Sequence, residues 1–241
     1  ALSLAARHLA RLPRGSVAMV ASSRQTTEEL FLLGRIARTL GAATDTVPRA
    51  GEADGLLMSA DRNPNTRGAI VTGLAAQPPG ARLGEIAAGI AQGSLRALVV
   101  FGEDVTRCGI SPELLSRLEL LVVSDILPNE TTKRAHVLLP GCAHAEKRGT
   151  FINAAGRVQR FHKAFDGPGD ARPEWELLLE LEQALGGALP QAPAAAAPAS
   201  IEGLFNLMAR EVPALAGLEW ARLGDLGLAM ASSDPVPAVR S

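Results

Sequence analysis

The feature that most constrains the fold is an alternation of short apolar runs with longer segments of helical periodicity. Apolar runs of strand length lie, for example, at positions 16–20, 96–101 and 119–123. Between them, segments such as 26–40 place apolar residues every three or four positions and end at a glycine. Alternating strands and helices favour a mostly parallel sheet that is covered on both faces. The sequence therefore predicts an α/β fold.

Individual elements follow from apolar periodicity and from helix-capping residues. Thr26 and Glu29 have the spacing of a capping box, and Gly41 ends the helix that they begin. The predicted strands cover 16–20, 56–59, 96–101, 119–123 and 137–139, and the predicted helices cover 1–12, 26–40, 82–91, a segment from 111, 173–185 and 201–211. Residues 150–153 and 157–161 alternate apolar and polar side chains around Gly156, which predicts a β-hairpin.

Composition divides the chain into three parts. Residues 1–187 carry the α/β pattern, 188–200 form a Pro/Ala linker, and 201–241 form a short tail with one helix. The sequence starts at Ala1 and reads at once as a helix, so we expect an internal piece of a longer protein.

Charge and hydrophobicity exclude several classes of function. With 47% hydrophobic residues and a net charge of −1, the chain is expected to fold and has no basic surface for nucleic acid. The apolar runs are far shorter than the ~20 residues of a membrane helix, so we expect no direct membrane insertion. The glycine-rich motifs of dinucleotide-binding and P-loop proteins are absent, which argues against a nicotinamide dehydrogenase or a P-loop NTPase.

Metal binding is not expected from the cysteines and histidines. Cys108 and Cys142 have no zinc or iron–sulfur spacing, and we expect both to be buried thiols. His136 and His144 lie on either side of Cys142 and could suggest a metal site, but one falls on a predicted strand and the others in the next turn. A shared ligand geometry is therefore not predicted.

Two groups of polar residues follow neighbouring predicted strands. They are Gly102, Glu103 and Asp104 after the first strand, and Ser124 and Asp125 at the end of the next. Open α/β sheets bind ligands at the carboxyl ends of their strands, so these turns are the candidate binding site. The alternative is that the carboxylates only cap loops and helix starts.

The polar residues of the hairpin are interpreted as structural. Gly156 would supply a positive φ in the turn, Asn153 would bond the loop, and Arg157 would pair with a strand-end carboxylate such as Asp125. Gln159 belongs to the same group. We predict no catalytic residue among them.

The segment 124–172 resembles the molybdopterin oxidoreductase superfamily. The resemblance rests on the sequences EKRGTF at 146–151, RVQ at 157–159 and GDARPEW at 169–175. Within that superfamily these sequences are most similar to the large iron–sulfur subunit of respiratory NADH:quinone oxidoreductase, complex I. The resemblance implies a Rossmann-like domain.

A resemblance to complex I implies a scaffold without a cofactor of its own. Electrons would pass through 2Fe-2S and 4Fe-4S clusters that lie outside this chain, and its partners would be other subunits of the peripheral arm. The location would be cytoplasmic, on the inner face of the cell membrane through the complex.

The alternative is a molybdoenzyme similar to formate dehydrogenase. Its cofactor would be molybdopterin guanine dinucleotide, with the guanosine part held by Gly102, Glu103, Asp104, Ser124 and Asp125. In such enzymes the acidic residue accepts hydrogen bonds from guanine or ribose, and the glycine lets the backbone approach the nucleotide.

Overall fold

The centre of the protein is a five-stranded parallel sheet, as the alternating pattern predicts. In a computed structural model that describes residues 1–188 and 198–231, the strand order is β2-β1-β3-β4-β5. The strands are β1 (Val17–Ser22), β2 (Ala43–Val47), β3 (Ala97–Phe101), β4 (Leu120–Asp125) and β5 (Val137–Pro140). The carboxyl ends of all five strands therefore lie along one edge of the sheet.

Helices cover both faces of this sheet. They are α1 (Leu2–Arg11), α2 (Thr27–Leu40), α3 (Thr66–Val71), α4 (Leu83–Gln92), α5 (Pro112–Leu115), α6 (Glu174–Ala188) and α7 (Ile201–Glu211). Alternate residues of the central strands divide between two hydrophobic cores. Met19, Val99 and Val122 pack with α1, α2, α6 and α7, whereas Leu98 and Val123 pack with α4 and α5. The α/β class is confirmed.

Helix α2 begins and ends as its sequence predicts. Thr26 accepts a hydrogen bond from the Glu29 N–H at 3.2 Å, and the Glu29 carboxylate accepts one from the Thr26 N–H at 2.8 Å. Gly41 takes a φ of 64° at the carboxyl end, a conformation that costs glycine little.

The predicted hairpin is present and forms part of a second, antiparallel sheet. Its strands are β6 (Gly149–Ile152) and β7 (Arg157–Phe161), and β8 (Leu228–Ala229) from the C-terminal tail pairs with β7. Gly156 has a φ of +77° in the turn, as expected for a tight reversal. Asn153 accepts a hydrogen bond from the Arg157 N–H at 2.9 Å, so its loop-bonding role is confirmed.

The predicted strand at 56–59 is wrong. These residues form the tip of a loop in which the Asp54 carboxylate accepts hydrogen bonds from the N–H groups of Leu56, Leu57 and Met58 at 2.8–2.9 Å. Because the Asp54 carboxylate accepts hydrogen bonds from three successive N–H groups, these groups are not available to pair with a neighbouring strand.

The second strand is instead β2, whose middle residues are polar. The Asp45 side chain is fully buried and accepts hydrogen bonds from the N–H groups of Ala76, Gly80 and Arg82 at 2.7–3.1 Å. Asp45 thereby fixes the loop that leads into α4. Because the strand carries this buried carboxylate between two threonines, hydrophobicity alone does not reveal it.

The tail packs against the main core. Leu204, Phe205 and Met208 of α7 are fully buried in the same core as α2 and α6. Most of the predicted linker lies outside the described residues, and the boundaries at 187 and 201 stay predictions.

The position of Val122 in the central sheet gives a test of this core. Val122 is fully buried between β3 and β5, so Val122→Asp should leave an unpaired carboxylate in the core and lower the free energy of unfolding by about 4 kcal/mol. Urea unfolding measures the change. Leu138→Asp on edge strand β5 is the control, because that side chain is 53% exposed. Equal losses in the two variants would contradict the assignment of Val122 to the core.

Candidate functional site

The five predicted site residues lie together at the carboxyl edge of the sheet. Strand β3 ends at Phe101 and β4 ends at Asp125, and the two strands are direct neighbours. The N–H of Gly102 donates a hydrogen bond to the carbonyl oxygen of Ser124 at 2.8 Å, which joins the two turns. The sequence thus places these residues correctly in space, while their role as a binding site stays a prediction.

Gly102 occupies a position that only glycine fits without strain. Its φ is +70°, and a Cβ atom built there would lie 2.8 Å from Gln25 Nε2 and 3.3 Å from Ser22 Cβ. The positive φ and the Gln25 side chain together therefore leave no room for a side chain at this position.

Glu103 is held by an arginine from the loop after β2. Both Glu103 carboxylate oxygens accept hydrogen bonds from Arg49 at 2.7 Å, and the carboxylate is almost fully buried. The hydrogen bonds that this guanidinium donates to Glu103 raise the pKa of Arg49 further above its already high value. The pair ties the loop after β2 to the end of β3.

Asp104 and Asp125 also accept hydrogen bonds from neighbouring residues. Asp104 Oδ1 accepts hydrogen bonds from the hydroxyls of Thr106 and Thr131 at 2.7 and 2.9 Å. Burial acts to raise the pKa of Asp104, but these hydrogen bonds outweigh it and hold the pKa below its ordinary value. Asp125 accepts hydrogen bonds from the Ile126 N–H at 2.7 Å and from Asn129 Nδ2 at 2.8 Å.

Ser124 differs from the carboxylates because its hydroxyl has no partner. Its Oγ atom is buried and makes no hydrogen bond within the described residues. It lies 3.0 Å from the place that a Cβ on Gly141 would occupy, beside the Glu174 carboxylate. Buried polar groups normally have partners, so this hydroxyl marks an unmet hydrogen-bonding position at the edge.

The predicted pairing of Arg157 with Asp125 is wrong. Arg157 Nη1 donates to the carbonyl oxygen of Gly227 at 3.0 Å instead. Pairing of β7 with β8 brings the chain around 227 against Arg157, and Asp125 keeps its local partners.

Sequence reasoning missed a buried charge cluster behind this edge. Lys147, almost fully buried, donates hydrogen bonds to Glu29 at 2.9 Å, to Glu174 at 2.8 Å and to Gln25 at 3.3 Å. Glu28 is fully buried next to it and accepts from the N–H and the hydroxyl of Thr150, both at 2.9 Å. The cluster joins the starts of α2 and α6 to the hairpin.

The cluster contains three carboxyl groups and one ammonium group. Burial, opposed in part by hydrogen bonds from Thr150, raises the pKa of Glu28 to about 7. Burial likewise raises the pKa of Glu174 to about 7, although Lys147 acts to lower it. Desolvation acts to lower the pKa of Lys147, but the carboxylates of Glu29 and Glu174 outweigh it and raise that pKa to about 12. The lysine therefore stays charged, while Glu28 and Glu174 titrate near neutral pH.

The sequence contained only an indirect signal for this cluster. Glu29 and Glu174 each lie at the start of a predicted helix. Helix capping is enough to explain an acidic residue there, and it suggests that the helix end is exposed. Lys147 belongs to the EKRGTF segment, where a charged residue before a hairpin suggests solvent. Only the three-dimensional packing buries all of them together.

The cysteines and histidines form no metal site in the described part of the chain, where no group of three or more potential ligands comes together. Burial, assisted by the nearby Glu174, raises the pKa of Cys142 to about 11, so this thiol stays protonated. His136 Nδ1 accepts a hydrogen bond from the Leu121 N–H at 2.9 Å. No helix among residues 1–188 and 198–231 is long and apolar enough to cross a membrane.

Comparison with known proteins identifies the family. The molybdopterin oxidoreductase family matches residues 62–184, about half of the chain, which includes the ends of β3 and β4 and the hairpin. This chain belongs to the molybdopterin oxidoreductase family.

Two relatives are similar over a little less than half of the chain. The chain is 41% identical over 117 residues to the F420-dependent formate dehydrogenase 2 subunit alpha of Methanococcus maripaludis, covering 47% of this chain and 16% of the relative. It is 44% identical over 112 residues to the NADPH-Fe(3+) oxidoreductase subunit alpha of Geobacter sulfurreducens, covering 45% of this chain and 13% of the relative. The chain thus spans only a small part of the length of these relatives.

Among solved structures, acetylene hydratase from Pelobacter acetylenicus is similar with a TM-score of 0.46 and 16% identity. The match covers 66% of this chain and 21% of the hydratase.

The carboxyl edge fits the polar end of a nucleotide cofactor. Gly102 carries no side chain in the turn after β3, and the Ser124 hydroxyl has no hydrogen-bond partner within the described residues. A carboxylate oxygen can accept more than one hydrogen bond, so Asp104 and Asp125 keep acceptor capacity beside their present partners. These four residues are the ones that could hold such a group.

The raised pKa of Glu28 predicts a stability change with pH. Its folded pKa of about 7 lies above the ordinary 4.5, so the stability from the protonated form is complete below about pH 4.5 and is lost as pH rises through about 7. Glu28→Gln keeps a neutral side chain that can bond Thr150. We expect this variant to match the parent at pH 5 and to exceed it at pH 8.5 by about 2 kcal/mol.

Chemical unfolding across this pH range measures the difference. Glu85→Gln on the exposed side of α4 is the matched control and should follow the parent at every pH. A constant difference between Glu28→Gln and the parent from pH 5 to pH 8.5 would show that Glu28 is ionised throughout.

Proposed function

We propose that this chain is the cofactor-facing α/β domain of a molybdopterin oxidoreductase of the formate dehydrogenase type. The sheet edge at Gly102–Asp104 and Ser124–Asp125 would bind the guanosine end of molybdopterin guanine dinucleotide. The observation that carries this proposal is the unpartnered Ser124 hydroxyl in the turn that is hydrogen-bonded to Gly102. The names of the relatives, which include formate dehydrogenase alpha subunits, support the same choice.

In this proposal Gly102, Asp104, Ser124 and Asp125 have binding roles, and none of them is catalytic. Gly102 would let the ribose or phosphate backbone approach, and Ser124 would supply a hydrogen bond. Asp104 and Asp125 would accept hydrogen bonds from the N–H groups of guanine or from ribose hydroxyls. The molybdenum of the bound cofactor supplies the redox chemistry, and this domain would orient the cofactor.

A second candidate is the scaffold domain of the large iron–sulfur subunit of NADH:quinone oxidoreductase. It is favoured by the internal partners of the edge carboxylates, above all the two-bond pair between Arg49 and Glu103. An edge whose charges are already satisfied can serve packing alone. In that case the partners would be subunits of the complex I peripheral arm, and the location would be the cytoplasmic face of the membrane.

Calorimetric titration with GDP separates the two candidates. The cofactor-binding proposal predicts measurable heat with a micromolar dissociation constant, and a much weaker response to ADP, because adenine lacks the two N–H donors of the guanine edge. Asp125→Asn should lose GDP binding while its melting temperature stays within a few degrees, since asparagine can still accept the Ile126 N–H bond.

Asp166→Asn is the matched control, because this side chain is exposed and lies on a different loop. The parent and the control should bind GDP equally. No heat with GDP in a folded parent would contradict cofactor binding and favour the scaffold candidate.

A further inference from the structure

A small pocket lies at the amino edge of the parallel sheet, opposite the candidate cofactor site. One wall is a face of α1, and the other is formed by residues just before β3 and β4. Its volume is about 220 Å³, and its charged and polar lining residues are Arg7, His8, Arg11, Arg96 and Glu119. We call it the α1 pocket. Its lining has a local excess of positive charge, although the net charge of the whole chain is −1.

Two arginines of the pocket have no partner for their charge. The guanidinium groups of Arg7 and Arg11 make no hydrogen bond or ion pair within residues 1–188 and 198–231. They lie four positions apart on α1, where like charges are neighbours and repel each other. The helix dipole favours a cation in the last turn, which accounts for Arg11 but not for Arg7, one turn earlier. Two neighbouring guanidinium groups of this kind are suited to share one anion.

The one carboxylate of the pocket is already neutralised. Arg96 forms a two-bond pair with Glu119, in which Nη2 donates to Oε2 at 2.8 Å and Nε donates to Oε1. The hydrogen bonds from Arg96 hold the pKa of Glu119 below its ordinary value. Because these two charges cancel, the excess charge of the pocket is that of Arg7 and Arg11. The ring of His8 adds a nitrogen that can donate a hydrogen bond.

Charge and size together indicate the class of ligand. A phosphate group carries a charge of about −1.5 to −2 at neutral pH, and arginine binds its oxygens through paired hydrogen bonds. This charge matches the two of Arg7 and Arg11, whereas a carboxylate would balance only one of them. Pockets for drug-sized molecules have volumes of roughly 300–1,000 Å³. The α1 pocket is smaller, and it has room for a phosphate group and little more.

We propose that the α1 pocket binds a phosphate group, with Arg7 and Arg11 donating hydrogen bonds to the phosphate oxygens. The group comes either from free inorganic phosphate or from a phosphomonoester, whose carbon part would contact Leu4 and Leu12 in the same pocket. The proposal does not rest on cofactor binding, because the candidate cofactor site lies at the opposite edge of the sheet.

Calorimetric titration of the whole chain with inorganic phosphate tests the site. At constant ionic strength the parent should bind one phosphate saturably. Arg7→Gln and Arg11→Gln should each weaken binding about tenfold, because each removes a charge-assisted hydrogen bond. Arg210→Gln is the matched control and should bind like the parent. Arg210 is also an exposed helix arginine without a partner in the described part of the chain, but it lies on α7.

A second titration, with phenyl phosphate, distinguishes the two sources. Tighter binding than that of inorganic phosphate identifies a phosphomonoester as the ligand, and weaker binding identifies free phosphate. Sodium chloride at the same ionic strength should give no saturable heat, which separates a phosphate site from general attraction of anions.

Nuclear magnetic resonance locates the site. Phosphate should shift the amide resonances of residues 4–12, 96 and 119 and leave those of 102–104 and 124–125 unchanged. No saturable heat in the parent, equal binding by Arg7→Gln and Arg210→Gln, or shifts only outside the α1 pocket would each overturn the proposal. The cofactor proposal is tested separately, since Asp125→Asn should lose GDP binding and keep phosphate binding, and saturating phosphate fills the α1 pocket during a GDP titration.

Discussion

The interaction on which the architecture depends most is the buried contact of Lys147 with Glu29 and Glu174. Lys147 lies just before the hairpin, and its ammonium group bonds Glu29 in the first turn of α2 and Glu174 in the first turn of α6. A buried charge without a partner costs several kcal/mol, so these three elements have to stay together for the fold to persist. The small sheet, which shares no strand with the parallel one, gains a fixed position by this means.

The same cluster limits how the carboxyl edge can be built. Glu174 fills the space beside Gly141 that a side chain would otherwise occupy, and Gln25, which bonds Lys147, fills the space beside Gly102. Glycine is thus required at both turns because these polar side chains occupy the space where a Cβ atom would lie. The lack of a side chain at these two turns is therefore a consequence of the buried charge cluster.

The sequence predicts the parts of the fold that repeat a simple pattern. Strands β1, β3 and β4 are continuous apolar runs because both faces of the sheet are covered, and α2 carries its own capping box and terminal glycine. The neighbouring positions of Gly102 and Ser124 follow from the strand order. Strand β2 and the cluster around Lys147 could not be found in this way, because their polar side chains are satisfied by groups distant in sequence. Thr150, for example, bonds Glu28 from 122 positions away.

Those long separations have a consequence for synthesis on the ribosome. Glu29 emerges 118 residues before Lys147, and at common translation rates the delay is roughly 10 s. During that interval the start of α2 cannot be buried against the hairpin and has to keep its carboxylates hydrated. Strand β8 completes the small sheet only when residues near 228 have appeared. Helix α2 is therefore synthesised well before the lysine that later joins it to the hairpin and to α6.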